Sequence, residues 1–137
     1  MIVADANLIA YYYLPGQHQQ VAVKVLEKDP VWFVPSIMVS EFRNILLGYV
    51  RLKRLSQRDA VELAARVELF FYPKMKAVSA AQVMDMAYAS GCSAYDGEYA
   101  ALAHTLKARL VTSDKLLLKS FPNIAISPDD FIKHAAS

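Results

Sequence analysis

The chain of 137 residues is 55% hydrophobic and carries a formal net charge of +2, which excludes disorder and predicts a single domain over residues 1–137 with a substantial core. Its apolar runs are broken, by Pro35, Glu41 and Asp85 among others, before any reaches membrane-spanning length, so no membrane partner is expected. One cysteine, Cys92, leaves no intrachain disulfide and fits a reducing, cytoplasmic setting, while the small net charge does not by itself imply nucleic-acid binding.

Met1–Ala4 opens as a short apolar strand and ends at Asp5, Ala6 and Asn7. The acid in that run and the lack of a basic leader speak against a signal peptide. Asp and Asn are poor strand residues and good helix starters, so Asp5 reads first as a strand-to-helix cap. Leu8–Leu14 follows, with Tyr11, Tyr12 and Tyr13 in a row before Pro15 and Gly16. Adjacent helix positions face different ways. At most two of these rings can reach the core, and the rest belong to a rim, an interface or a base-stacking surface. His18–Lys28 is the next helix, burying Val21, Ala22, Val25 and Leu26, with His18 exposed in its first turn.

Val31–Val34 reads as a strand, Pro35 as its exit and Ser36 as the cap of a long helix. On that helix the row Met38, Phe42, Ile45, Tyr49 lies beside the row Ile37, Glu41, Asn44, Gly48. Glu41 therefore sits on or beside the apolar face, where a carboxylate needs a partner; the bland choice is a lysine or arginine. Arg43 points elsewhere. Arg51, Lys53, Arg54 and Arg58 cluster at the following helix junction, either as a solvated face or as phosphate contacts. Ser56 to Asp59 is a capping box for a helix striped by Ala60, Ala64, Val67 and Phe71, with Arg66 and Glu68 outside. A connector with a short strand at Met75–Val78 leads to a second capping box, Ser79 to Gln82, and a helix stopped by Gly91.

From Gly91 to Asp114 the chain holds a helix, a turn and a strand. Ser93 caps the helix with Asp96 three residues on, and Tyr99, Ala100, Ala103 and Leu106 form its apolar row. Leu110–Thr112 is the strand, closed by Ser113 and Asp114. Leu116–Leu118 reads as an apolar turn, Ile124–Ile126 as a last strand, and Ser127 to Asp130 as the start of a terminal helix. This alternation predicts an α/β fold with a central parallel sheet. Chemistry in such sheets gathers at the carboxyl edge, where Asp5, Glu41, Asp96 and Asp114 would meet. Asp96 alone is almost fully explained as part of its capping box. Together the acids imply a pocket of mutually repelling carboxylates, which a cation would neutralise. With oxygen donors only and no Cys/His cluster, the indicated ion is hard: Mg²⁺, or Mn²⁺ in its place.

The stretches IVADANLI, VSEFRNILL, SAYDGEYAALA and LVTSDKLL resemble PIN-domain proteins of the VapC toxin type, over nearly the whole chain. The resemblance implies a PIN-like three-layer α/β/α sandwich and metal-dependent endonucleolytic cleavage of RNA. It matches Asp5, Glu41, Asp96 and Asp114 to the family's acidic quartet. Asp5, Asp96 and Asp114 would be metal ligands, Glu41 would hold or deprotonate the attacking water, and Asn7 and Thr112 would be polar companions. It also implies a cognate antitoxin and a homodimer. Arg51, Lys53 and Arg54 are the candidate RNA contacts, and Glu98 is an extra carboxylate whose helical angle turns it away. The alternatives are a PIN nuclease outside a toxin system, a non-catalytic PIN-like module, and a dehalogenase-like phosphatase or receiver. The phosphatase would want an acid two residues after Asp5, where Asn7 stands.

Overall fold

A computed structural model describes residues 1–134. Four strands, β1 (Ile2–Ala4), β2 (Trp32–Phe33), β3 (Arg109–Val111) and β4 (Ala125–Ile126), form an all-parallel sheet in the order β2-β1-β3-β4. Helices α1 (Ala6–Tyr13) and α2 (Gln19–Lys28) link β1 to β2. Then α3 (Ile37–Arg51), α4 (Gln57–Phe71), α5 (Ala80–Ser90) and α6 (Ala94–Leu106) lead to β3. The short α7 (Lys115–Ser120) precedes β4, and α8 (Pro128–Lys133) follows it. Ile2, Val3, Ala4, Leu110 and Val111 are all at or below 1% exposed. Since successive strand residues face opposite sides, both faces of the central strands are covered by helices, which makes three layers.

The central pair of strands is also where the strand order turns back. β1 lies between β2 and β3 in register, Ile2 with Trp32 on one side and Ala4 with Val111 on the other. Such a switch point leaves a crevice beyond the carboxyl ends of the strands. Helix α6 packs against β1 and β3 on one side and α5 on the other. Its buried residues run from Gly97 through Tyr99, Ala100, Ala101, Leu102 and Ala103, wider than the single predicted row. Gly97 permits the α5 contact: a Cβ there would stand 2.9 Å from the Val83 carbonyl oxygen and 3.2 Å from the Ala87 Cβ.

Several expectations shift. The Leu116–Leu118 turn is helical, because the Asp114 carboxylate caps α7. Ser36 does not cap α3 with its side chain; it is already helical, and the Met38 N–H donates to the Pro35 carbonyl instead. The strand expected at Met75–Val78 shrinks to one parallel bridge between Val34 and Met75. Leu63, rather than Ala64, joins Ala60, Val67 and Phe71 in the core. The three tyrosines are all half-buried: Tyr12 meets Trp32 and Tyr13 edge to face, and Tyr11 lies against His18.

Candidate active site

The crevice is built from strand ends and helix starts. The register that pairs Ala4 with Val111 sets the next residues, Asp5 and Thr112, side by side. Asp5 caps α1, its Oδ1 accepting the Leu8 N–H at 2.8 Å, so the cap reading of this residue holds. Its Oδ2 accepts the Thr112 hydroxyl. Thr112 Oγ1 in turn accepts the Asp114 N–H at 3.0 Å. Asp114 Oδ1 accepts the Leu116 and Leu117 N–H groups at 2.8 and 3.1 Å. These bonds fix the ends of β1 and β3 as one unit.

The other two acids come from helices. Glu41, in the second turn of α3, has no basic partner among the described residues; the Tyr99 hydroxyl of α6 donates to its Oε1 at 2.6 Å. Arg43 pairs with Glu68 instead. Asp96 lies in the first turn of α6, and the capping acceptor there is the Ser93 hydroxyl, which takes the Asp96 N–H at 3.0 Å. Asp5, Glu41, Asp96 and Asp114 line one cavity of about 170 Å³ with Asn7, Asn44 and Tyr99 among the other lining residues. A larger cavity of about 560 Å³ lies between the ends of α1 and α3 and holds no acid. Chemistry, not volume, singles out the smaller one.

Burial dominates the electrostatics. It pushes the Asp5 carboxyl up to about 6, against the opposing hydrogen bonds from Thr112 and Leu8, with the charges of Glu41 and Asp114 adding to the rise. Glu41 is raised by burial, opposed by the Tyr99 hydrogen bond, and raised further by Asp96, Glu98 and Asp114. Asp96 is raised by burial and by Asp114, and held back by Ser93. Burial also raises Tyr99, so its hydroxyl stays protonated as a donor. The acids feel one another, as a shared pocket requires.

The donor set is four carboxylates, the chemistry of a site for a hard divalent cation. As the side chains stand, no three His, Cys, Asp or Glu groups among the described residues form a ready ligand cluster. The donors fit by chemistry and by lining one cavity, not yet by distance. Asp5 is pinned through both oxygens, each with a second lone pair to offer. Asp96 and Asp114 are only part-buried, and Asp114, held at Oδ1 by the α7 cap, keeps its Oδ2 to offer an ion.

Of the companions, Asn7 is an exposed residue of the cavity wall, and Thr112 is fully buried behind Asp5. Glu98 does not line the cavity. Arg51, Lys53 and Arg54 are exposed and lie off it, Arg54 lining the larger cavity. Tyr99 was legible only as part of an apolar row, yet it is the residue that fixes Glu41. Its spacing from Asp96, nearly one helical turn, was the available signal.

Known proteins share this fold. The family model described as PIN domain matches residues 2–121, a span that contains all four acids. Ribonuclease VapC3 of Pyrobaculum aerophilum is 28% identical over 125 residues, covering 88% of this chain and 95% of the relative. Among solved structures, PAE2754 from Pyrobaculum aerophilum aligns with a TM-score of 0.72 at 24% identity, over 96% of this chain and 92% of its own. FitAcB from Neisseria gonorrhoeae aligns with a TM-score of 0.68 at 20% identity, over 93% of this chain and 98% of its own. At those identities the two structures speak for a common fold. With the family match spanning nearly its whole length, the chain belongs to the PIN domain family.

Proposed function

We propose that this protein is a metal-dependent endoribonuclease that hydrolyses RNA phosphodiester bonds, and that it is the toxin of a toxin–antitoxin pair. The observation that carries the reading is the convergence of four acids on one cavity at the sheet's carboxyl edge. The similarity to Ribonuclease VapC3 supports the choice of RNA. A cognate antitoxin, a homodimer and a cytoplasmic location complete the proposal. Among the described residues no helix is long and apolar enough to cross a membrane.

In this reading Asp5, Asp96 and Asp114 hold Mg²⁺, or Mn²⁺ in its place. The bound ion supplies an activated water and offsets charge on the phosphate under attack. Glu41 takes the proton of the attacking water; its raised carboxyl is a better base than an exposed one, and Tyr99 holds one of its oxygens still. Thr112 orients Asp5, and Asn7 offers a polar contact at the wall.

Incubating the purified protein with end-labelled RNA tests this directly. Cleavage is expected with Mg²⁺ or Mn²⁺ and absent in EDTA, and Asp96→Asn is expected to abolish it without loss of fold. Full-rate cleavage in EDTA would overturn the metal mechanism. Co-purification of the product of an adjacent small reading frame tests the toxin assignment.

A further inference from the structure

The larger cavity and the acidic one draw lining residues from the same two helices, α1 and α3. On α1, Asn7 lines the acidic cavity and Tyr11, four residues on, lines the larger one. On α3, Ile45 lines the acidic cavity and Tyr49, again four residues on, lines the larger one. Residues four apart share a helix face, and α1 packs directly on α3. The two cavities are thus successive stations along the packed α1–α3 pair. Glu41 and Tyr49 are eight residues apart on α3, which puts the stations about 12 Å from each other.

The far station has its own chemistry. Tyr11 and His18 stack with ring centroids 4.6 Å apart and planes tilted by 33°. Tyr49 faces the same space, Gln17 and Gln19 line its edge, and none of the lining residues is acidic. Arg54 supplies the cation. Helix α3 ends with Lys53 in the left-handed region, at φ 59°, and the Arg54 N–H donates back to the Tyr49 carbonyl at 2.9 Å. That helix-ending motif brings the residue after the turn against the one at the last turn, so Arg54 and Tyr49 are set together by the backbone. Arg54 forms no ion pair among the described residues, whereas Arg43 and Arg58 do.

We infer that this station is an RNA subsite, in which a base of the bound strand stacks on the Tyr11–His18 pair and Tyr49 while Arg54 contacts its phosphate. The inference rests on the ribonuclease reading and deepens it. Aromatic faces with a free arginine are how single strands are held without sequence readout. A stacked strand advances about 3.4 Å per nucleotide, and an unstacked one more, so the occupant is roughly two to four nucleotides from the scissile phosphate. Among the three basic residues at the α3–α4 junction, the geometry selects Arg54 over Arg51 and Lys53.

The test is binding of labelled single-stranded RNA in EDTA, comparing a trinucleotide with a nonanucleotide by competition. Wild type is expected to prefer the longer strand. His18→Ala with Arg54→Ala is expected to cost roughly tenfold in affinity for the nonanucleotide and little for the trinucleotide. Arg54→Ala alone is expected to lower the slope of log affinity against log salt by about one. Both side chains are exposed, so melts are expected to match wild type; if Arg54→Ala misfolds, Arg54→Lys keeps the charge and is expected to keep the salt slope. Unchanged nonanucleotide affinity in the double variant overturns the subsite, and so does an equal loss for both lengths; a protein partner on this face would give the first result. Cleavage by wild type in Mg²⁺ is scored separately. Cleavage without the length preference sinks the subsite alone, whereas the preference and its loss without cleavage sink the nuclease reading alone.

Discussion

At the sheet end of the α1–α3 pair, four side chains arrive from four elements, and each has a role in holding the fold or a neighbour to hold it. Asp5 caps α1, Asp114 caps α7, Glu41 is tied to Tyr99, and Asp96 follows the Ser93 cap. At the other end the tools are a helix terminus and a loop: Arg54 after a left-handed Lys53, and His18 after Pro15 and Gly16. The first end is part-buried, acidic and crosslinked; the second is aromatic and basic, with His18 and Arg54 exposed. The contrast shows where rigidity is needed. In the proposed function, the acids that would share an ion stand on strand ends and in the early turns of α3 and α6, and the groups that would meet bases stand on a helix terminus and a loop.

The largest break in this contrast is chemical. Asp96→Asn is expected to lower cleavage by about a thousandfold, the scale of several kcal/mol of charge stabilisation. Its melting temperature should barely move, because Ser93 does the capping. A variant that loses stability and keeps activity would make Asp96 a structural residue.

Next in size is a pH effect confined to the acidic end. Asp5 titrates near 6 in the fold against 3.8 unfolded. Below about 3.8 the folded, protonated form carries its full advantage; as pH rises through about 6 that advantage is lost, about 3 kcal/mol in total. Metal-free protein should therefore lose stability from this group between those values, and Asp5→Asn should flatten that stretch of the curve. Denaturant melts at stepped pH in EDTA measure it. An identical curve in the variant would mean that Asp5 is not the group responsible.

Gly97→Ala comes third, at about 1–3 kcal/mol of destabilisation, because the new methyl meets a backbone carbonyl of α5 that cannot swing aside. Ser93→Ala should cost about 1 kcal/mol by removing the α6 cap. The smallest effect falls at the far end with the opposite sign. Lys53→Gly should raise stability by about 0.5 kcal/mol, since glycine adopts the left-handed turn without strain. Thermal melts order all three, and a destabilising Lys53→Gly would show that the side chain holds a contact there.

Asp5, Asp96 and Asp114 were readable in the sequence because they stand near element ends, which caps, glycines and prolines mark, and Glu41 because it falls beside the apolar face of α3. The parallel alternation was readable for the same reason. What could not be read was anything set by a partner element. Glu41 announces a need for a partner, but only the packing of α6 beside α3 supplies Tyr99. Helix α6 is buried nearly all round because α5 covers the side away from the sheet, and Gly97 hints at that only once Val83 is seen above it. Leu116–Leu118 reads as a turn when Asp114 is taken as a strand end and a ligand, whereas one of its oxygens also caps a helix. The strands β2 and β4 are only two residues long, too short for periodicity to fix their limits.

Thr112 gives the acidic end a polarity. Its oxygen already receives the Asp114 N–H, so its one proton is committed to Asp5. The chain of bonds can run only from the Asp114 backbone, through the hydroxyl, to an Asp5 oxygen that is ready to accept. If Asp5 gains a proton on that oxygen, the hydroxyl hydrogen must turn away, and the second lone pair of Thr112 is left to accept from Asp5. The threonine thus links the ends of β1 and β3, and the charge on Asp5 sets which way its hydroxyl hydrogen points. Thr112→Ser keeps that link and Thr112→Val cuts it at nearly constant volume, so the pair of substitutions reads out whether the two strand ends answer to each other.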